Sequence, residues 1–335
     1  MNVEQPYLLF IGDVPDQLAA KFAGGAVDWR PDWCIGQSRL PGCKADLGLP
    51  DMGVPEAVER GARTFVVGAV NAGGVLPDTW IEPIVEAIEA GLDVAAGLHV
   101  RLSTFEPIAA AAREHGVQLH DLRLPSRAFA TGKGTARTGR RLLTVGTDCS
   151  VGKKYTALCL ERDMRERGMD AEFRATGQTG ILISGRGVAL DAVPADFISG
   201  AAEWLSPDAA PDHWDLVEGQ GSLFHPSFAG VTLGLLHGTQ PDVFVVCHAP
   251  GRSAMRGVQH PLPSIAQVID ATVEQGRLTN PDIAPVGIAV NTRGIDQAEA
   301  RDMLERLADE HALPATDPVR FGTDNIVDAI KEMFA

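Results

Sequence analysis

The stretch Leu142–Met164, "LLTVGTDCSVGKKYTALCLERDM", constrains the fold more than any other part of this chain. An apolar, β-branched run enters Gly146, a short polar turn leads to Gly152 and Lys153, and a helical pattern follows. A strand, a tight turn and a helix in that order leave successive backbone N–H groups pointing into one hollow. The positive end of the helix dipole adds to them, so the hollow is an anion nest. At Gly152 a Cβ would obstruct close approach of a phosphate. Lys153 adds a point charge, as in a phosphate-binding loop. A strand that feeds such a turn belongs inside a parallel sheet flanked by helices.

The loop departs from the usual G-x-x-x-x-G-K-[ST] pattern in two places. Thr147 occupies the first glycine position, with Gly146 one residue earlier. Lys154 stands where a Ser or Thr would hold Mg²⁺, and the nearest hydroxyls are Tyr155 and Thr156. Two adjacent cations without a metal hydroxyl favour an anion bound with little or no metal. The diphosphate and 3′-phosphate of coenzyme A are such a ligand. The expected coenzyme-binding set is Gly146, Thr147, Asp148, Cys149, Ser150, Val151, Gly152, Lys153, Lys154 and Tyr155. A thiolate at Cys149 would be stabilised by the helix start and would open an acetyl-cysteine route. The favoured reading of Cys149 is nevertheless a small turn residue.

Strands and helices alternate on both sides of residues 124–140. "YLLFIG" (7–12), "RTFVVGAV" (63–70) and "VQLHDLR" read as strands; "DTWIEPIVEAIEAGL", with Asp78 as N-cap, and "TFEPIAAAAREHG" (104–116) read as helices. Beyond residue 140 the strands are "RLLTVG", "DAEFRATG", "HWDLVEGQG", "DVFVVCHAP" and "PVGIAVNT", with helices over "GKKYTALCLERDMRERG" and "VPADFISGAAEWL". The expected class is α/β throughout. A Rossmann-like parallel-sheet domain spans 1–123, a linker 124–140, and a P-loop NTPase-like α/β domain 141–335. The basic stretch "RLPSRAFATGKGTARTGRR" reads as a solvated linker, and "CIGQSRLPGC" as a loop. "GDV" (12–14) and "NAGG" (71–74) lack the dinucleotide fingerprint.

In open α/β sheets ligands sit at the carboxyl ends of strands. Arg174, Gln178 and Thr179 in "RATGQTG" and Arg252 in "CHAPGR" are expected to bind substrate, the arginines as carboxylate clamps. Glu218, Gln220 and Ser222 follow another strand. Glu218 is a candidate general base, with Gln220 and Ser222 as hydrogen-bond donors. His248 is a second candidate base. His225 reads as a packed turn histidine, and Asp148 and Asp196 as caps with metal or base roles as the alternative.

A net charge of −15 excludes nucleic acid and anionic membranes as expected partners. No apolar run reaches the roughly 18 residues of a membrane span, and the N-terminus has no leader pattern, so a cytoplasmic location is expected. Five cysteines without tight pairing argue against a disulfide framework, and no Cys/His spacing suggests zinc.

"GTDCSVGKKYTALCLE" resembles the loop of dethiobiotin synthetase and related proteins. "CIGQSRLPGCKADLGLPDM", "GAVNAGGVLPDTW", "GLHVRLS", "RATGQTGILI", "ADFISGAAEWL" and "VEGQGSLFHPSFAGVTLGLLHGTQPDVFVVCHAPGR" resemble a two-domain family over about residues 5 to 330. That family joins a Rossmann-like domain to a P-loop domain and includes DgcN-type D-glutamate N-acetyltransferases. The resemblance implies acetyl-CoA as co-substrate, D-glutamate or a similar acidic amino acid as acceptor, and no assigned metal. Two arginines would suit its two carboxylates. By likeness to dethiobiotin synthetase, Asn291 contacts an adenine ring, and Glu218 corresponds to a magnesium ligand. The assigned catalytic set is Glu218, Lys153 and His248. Two other readings stay open: an ATP/Mg-dependent ligase or kinase, and a nucleotide-binding protein without turnover. The first domain is expected to supply substrate contacts or a homo-oligomer interface.

Overall fold

The computed structural model describes residues 3–17, 19–69, 76–98, 100–125 and 127–335. The chain forms two compact units, Met1–Ala128 with Gly177–Ala192, and Phe129–Thr176 with Val193–Ala335. No helix among the described residues is long and apolar enough to cross a membrane.

The first unit is built on five parallel strands: β1 (Tyr7–Gly12), β2 (Cys34–Arg39), β3 (Thr64–Val67), β4 (Asp93–Ala96) and β5 (Leu119–Asp121). Their order is β2-β1-β3-β4-β5, the doubly wound arrangement expected of a Rossmann-like domain. β1 is buried along its whole length, so its sequence is a continuous apolar run. The loop expected over "CIGQSRLPGC" is corrected, because its first six residues are β2. This edge strand mixes buried and half-exposed positions, which hides the apolar signature. Gly36 is required there, since a Cβ would lie 2.4 Å from the methyl of Met52.

The helices of this unit begin with α1 (Lys21–Trp29), α2 (Val54–Glu59), α3 (Ile81–Glu89) and α4 (Glu106–His115). Asp78 does not cap α3; it opens a 3₁₀ turn, Asp78–Trp80, and makes no side-chain capping bond. Gly116 closes α4 at φ 70°. The turn expected at 71–74 lies outside the described residues.

The second unit carries β6 (Arg140–Gly146), α5 (Lys153–Glu166) and β7 (Ala171–Arg174). The next helix, α6 (Gln178–Ser184), belongs to the first unit. There the Tyr7 hydroxyl donates to Leu182 O (3.3 Å), and Val3 N donates to Gly185 O (2.9 Å). The second unit resumes with α7 (Ile198–Leu205), β8 (Trp214–Val217), α8 (Ala229–Thr239), β9 (Val243–His248), α9 (Ile265–Gly276), β10 (Ala284–Val290), α10 (Gln297–His311) and β11 (Ala315–Thr316). Two short elements, α11 (Pro318–Phe321) and α12 (Asp324–Met333), close the chain. Strand order is β11-β10-β9-β6-β8-β7, all parallel. Leu142, Leu160, Leu216, Val245 and Ile330 sit in its core. β6 lies between β9 and β8, so three adjacent strand ends deliver Gly146, His248 and Glu218 to one edge of the sheet.

The basic stretch before β6 is largely exposed, but Arg137 near its end is anchored. Arg137 donates to Glu203 O (3.0 Å), Ser206 O, Gly238 O and Thr239 O (3.0 Å), the last carbonyls of α7 and α8. Its guanidinium answers the orphan carbonyls and negative dipole ends of both helices. Burial, with Arg141 alongside, pushes its pKa down to about 10.

Candidate functional site

The turn after β6 is held by strain and by partners distant in sequence. Gly146 must be glycine, because a Cβ would meet Val151 Cγ2 at 2.8 Å and Cys247 O at 3.1 Å. Gly152 adopts φ 109°, a region closed to L side chains, so the reason for glycine there is backbone conformation. Ser150 also takes a left-handed φ, 54°, which costs a non-glycine residue roughly 1–2 kcal/mol. Such strain persists where the surroundings over-determine it. Here Arg252 Nη2 donates to Ser150 O (2.8 Å), and Arg256 Nη1 donates to Ser150 Oγ.

Asp148 is the hub of the turn. Its carboxylate is 0 % exposed. Oδ1 accepts from Cys149 N (2.6 Å), and Oδ2 accepts from Arg252 Nη1 (2.7 Å) and Arg256 N (2.9 Å). Arg252 Nη1 also reaches Cys149 O at 2.8 Å. Arg252, expected as a carboxylate clamp, is therefore a brace for the phosphate loop. Asp148 faces inward and shapes the nest.

Lys153 is 7 % exposed and donates from Nζ to Asp148 O at 2.8 Å. Burial pushes its ammonium pKa below the ordinary lysine value, against the opposing pull of nearby groups that include Asp148 and Glu218. Lys154 places its Nζ 5.0 Å from the Tyr155 ring centroid, a cation–π contact. The thiolate, the lesser reading of Cys149, is disfavoured: burial raises the thiol pKa, and Lys153 only partly offsets it. Asp148, Cys149 and His225 bring ligand-type atoms within 4.8 Å of one another. As arranged, hydrogen bonds occupy the Asp and His members. Ser227 N donates to His225 Nδ1 (3.2 Å), so Nε2 carries the proton and donates to Arg256 O (3.0 Å). His225 is a packed turn histidine, 1 % exposed.

The β8 end supplies Glu218, buried at 5 % exposure. Its Oε2 accepts from Thr176 N (3.0 Å), and its backbone O accepts from Thr176 Oγ1 (2.5 Å). Gln220 Nε2 donates to the same Thr176 hydroxyl at 2.9 Å. Gly219 lets the strand end press against β6: a Cβ would lie 1.6 Å from Thr144 O and 2.9 Å from Lys153 Cδ. Gly219 N donates to Thr144 Oγ1 (2.9 Å). Ser222 is buried, and its Oγ accepts from Phe224 N at 3.4 Å.

At the β9 end, His248 is half-buried, with Nδ1 3.0 Å from Thr147 Oγ1. Burial, and then the Arg252 charge, lower its pKa below the ordinary histidine value, which favours the neutral ring. A neutral imidazole beside a phosphate nest is suited to accept a proton.

Other expected site residues fall elsewhere. Arg174 is paired with Asp215 (2.5 Å) and Glu172 (3.1 Å), which satisfies the charge expected to clamp substrate. Gln178 and Thr179 lie in the first turn of α6, within the first unit; Gln178 Oε1 accepts from Arg123 Nη1 at 3.0 Å. Asn291 is exposed, its Oδ1 accepting from Arg293 N at 3.2 Å. Asp196 is exposed in a 3₁₀ turn and caps nothing through its side chain. Sequence reasoning missed Arg256, Thr176 and Thr144. The polar Thr144 inside an apolar strand was a usable signal; Arg256 carried none.

The model for "Domain of unknown function (DUF1611_C) P-loop domain" matches residues 128–327, and that for "Domain of unknown function (DUF1611_N) Rossmann-like domain" matches residues 38–125. A D-glutamate N-acetyltransferase of Pseudoalteromonas sp is 53% identical over 328 residues, covering 98% of this chain and 99% of the relative. A D-glutamate N-acetyltransferase of Tritonibacter scottomollicae is 50% identical over 329 residues, with coverage of 98% and 99%. The crystal structure of a DUF1611 family protein from Anabaena variabilis superposes with a TM-score of 0.86 at 30% identity, covering 98% of this chain and 100% of that one.

Proposed function

The chain belongs to the DUF1611 family of paired Rossmann-like and P-loop domains, and from that premise we infer that it is a D-glutamate N-acetyltransferase. The carrying observation is full-length identity of 50% and 53% to two relatives of that name. The chemistry at the strand ends of the second unit supports it, because acyl transfer to an amine needs an anion cradle for the donor and a neutral base for the acceptor.

In this reading acetyl-CoA is the donor. The backbone amides of the 147–152 turn and the Lys153 and Lys154 ammonium groups bind its phosphates. His248 takes the proton from the substrate amine, whose nitrogen then attacks the thioester carbonyl. The C–S bond breaks, and the coenzyme leaves as a thiol after it gains a proton. We favour His248 over Glu218 as base, because Glu218 is buried beside the Lys153 cation and receives Thr176 N–H. The Glu218 carboxylate is thus already engaged with the loop's own groups, whereas His248 stands at the adjacent strand end with a ring nitrogen 3.0 Å from Thr147 Oγ1. Glu218 instead balances Lys153. Gln220, at the same edge, is retained as a substrate contact. The raised thiol pKa of Cys149 disfavours an acetyl-cysteine intermediate.

Thiol release on mixing the protein with acetyl-CoA and each glutamate enantiomer tests the proposal. The expected result is release with D-glutamate and little with L-glutamate. Absence of release with both, together with a large thermal shift from Mg²⁺-ATP and none from coenzyme A, would establish the ligase or kinase reading instead.

A further inference from the structure

Parallel pairing puts Gly146 of β6 opposite Cys247 of β9. The next residues on the two strands, Thr147 and His248, therefore stand side by side. Thr147 N donates to Cys247 O (3.1 Å), and His248 O accepts from Asn291 N (2.8 Å), so both backbones are fixed. Thr147 is 0 % exposed, and its Oγ1 lies 3.0 Å from His248 Nδ1. Position 147 is where the usual phosphate-loop pattern has glycine.

A neutral imidazole has two tautomers, and the hydrogen bond at one nitrogen decides the state of the other. If the hydroxyl donates to Nδ1, Nε2 carries the proton and cannot act as a base. If it accepts from Nδ1–H, Nε2 presents a lone pair. We propose that Thr147 is a positioning residue that accepts from Nδ1–H of His248 and thereby holds Nε2 ready to take the substrate proton. The proposal rests on the assignment of His248 as base in the preceding subsection. It also gives the Thr147 departure from the loop pattern a chemical reason: one turn both cradles the donor and orients the base. The role parallels the third member of a catalytic triad, which fixes a histidine tautomer without itself touching substrate.

The test compares Thr147→Val, which keeps the branched shape, with Thr147→Ser, which restores the hydroxyl. Histidine ¹⁵N–¹H correlation spectra, with the His248 signal identified through His248→Asn, report the tautomer directly. The expected wild-type state is Nδ1–H, lost in the valine variant and recovered in the serine variant. Turnover should follow: kcat about 10- to 100-fold lower in the valine variant, KM for acetyl-CoA within about twofold, and serine within a few-fold of wild type. A wild-type Nε2–H tautomer overturns the proposal, even if the valine variant fails to fold. So does a folded valine variant with unchanged kcat. Unchanged turnover in His248→Asn removes the base assignment itself, and with it the proposal. That failure is told apart because the tautomer signal is read independently of activity.

Discussion

Replacing Asp148 by Asn tests whether one carboxylate organises the phosphate loop. Three N–H donors converge on it, from Cys149, Arg252 and Arg256. An amide has one acceptor oxygen. Facing Arg252 and Arg256, it sets its NH₂ against the Cys149 N–H; flipped, it sets NH₂ against two donors. The better orientation still loses one hydrogen bond to a charged group, about 1.5–3 kcal/mol, and turns an NH₂ toward the part-buried Cys149 N–H. The full cost of breaking a buried pair, roughly 3–5 kcal/mol, does not apply. Arg252 is 29% exposed and keeps the carbonyls of Cys149 and Ser150. A local loss of about 1.5–3 kcal/mol is therefore expected. Hydrogen exchange at the amides of Cys149 and Arg256 reads that loss where it occurs, as about a 10- to 150-fold fall in protection. Acetyl-CoA affinity, measured by calorimetry, should fall with it, because the nest is no longer pre-formed. Unchanged protection and unchanged affinity would refute the idea that Asp148 holds the loop.

Gly219→Ala should destabilise the second unit by about 2–3 kcal/mol or more, since its Cβ would lie 1.6 Å from Thr144 O; a urea midpoint within error of wild type would count against this packing. Because the His248 pKa is lowered by burial, the acid limb of kcat/KM should have its midpoint below about 6.5. The same shift means that the unfolded chain binds that proton more readily, so its contribution to stability is present above about 6.5 and is lost as pH falls through that range. A midpoint above about 7 would exclude this ring as the base. Arg137→Met should cost about 3 kcal/mol or more, by stranding the carbonyl ends of two helices at once. A thermal melt unchanged within about 1 °C would show that water replaces the guanidinium without loss.

β1 was legible from end to end because burial on both faces writes a strand as an unbroken apolar word. β2 was not, because an edge strand that mixes buried and half-exposed positions, with a glycine forced by Met52, has no such run. The phosphate loop was visible through local spacing alone. What holds it was not: Arg252 and Arg256 lie more than 100 positions away from the residues they brace, and sequence spacing carries no record of that pairing. The same limit explains the arginines expected as clamps. Residue type identified Arg174 and Arg252 as charge carriers, but only three-dimensional proximity assigns Arg174 to Asp215 and Arg252 to Asp148. Conversely, Glu218, His248 and Lys153 share one edge because parallel strands place their ends together, a consequence that the alternation of strands and helices does predict.

The discontinuity of the first unit has a consequence for synthesis on the ribosome. When residue 128 has cleared the exit tunnel, all five strands of its sheet have been made, yet the Val3 amide and the Tyr7 hydroxyl still lack Gly185 O and Leu182 O. Those partners arrive only after β6, α5 and β7 of the other unit have been translated. A nascent chain therefore begins its second sheet before it can finish its first unit, and a fragment cut at residue 128 would carry that unfinished surface permanently.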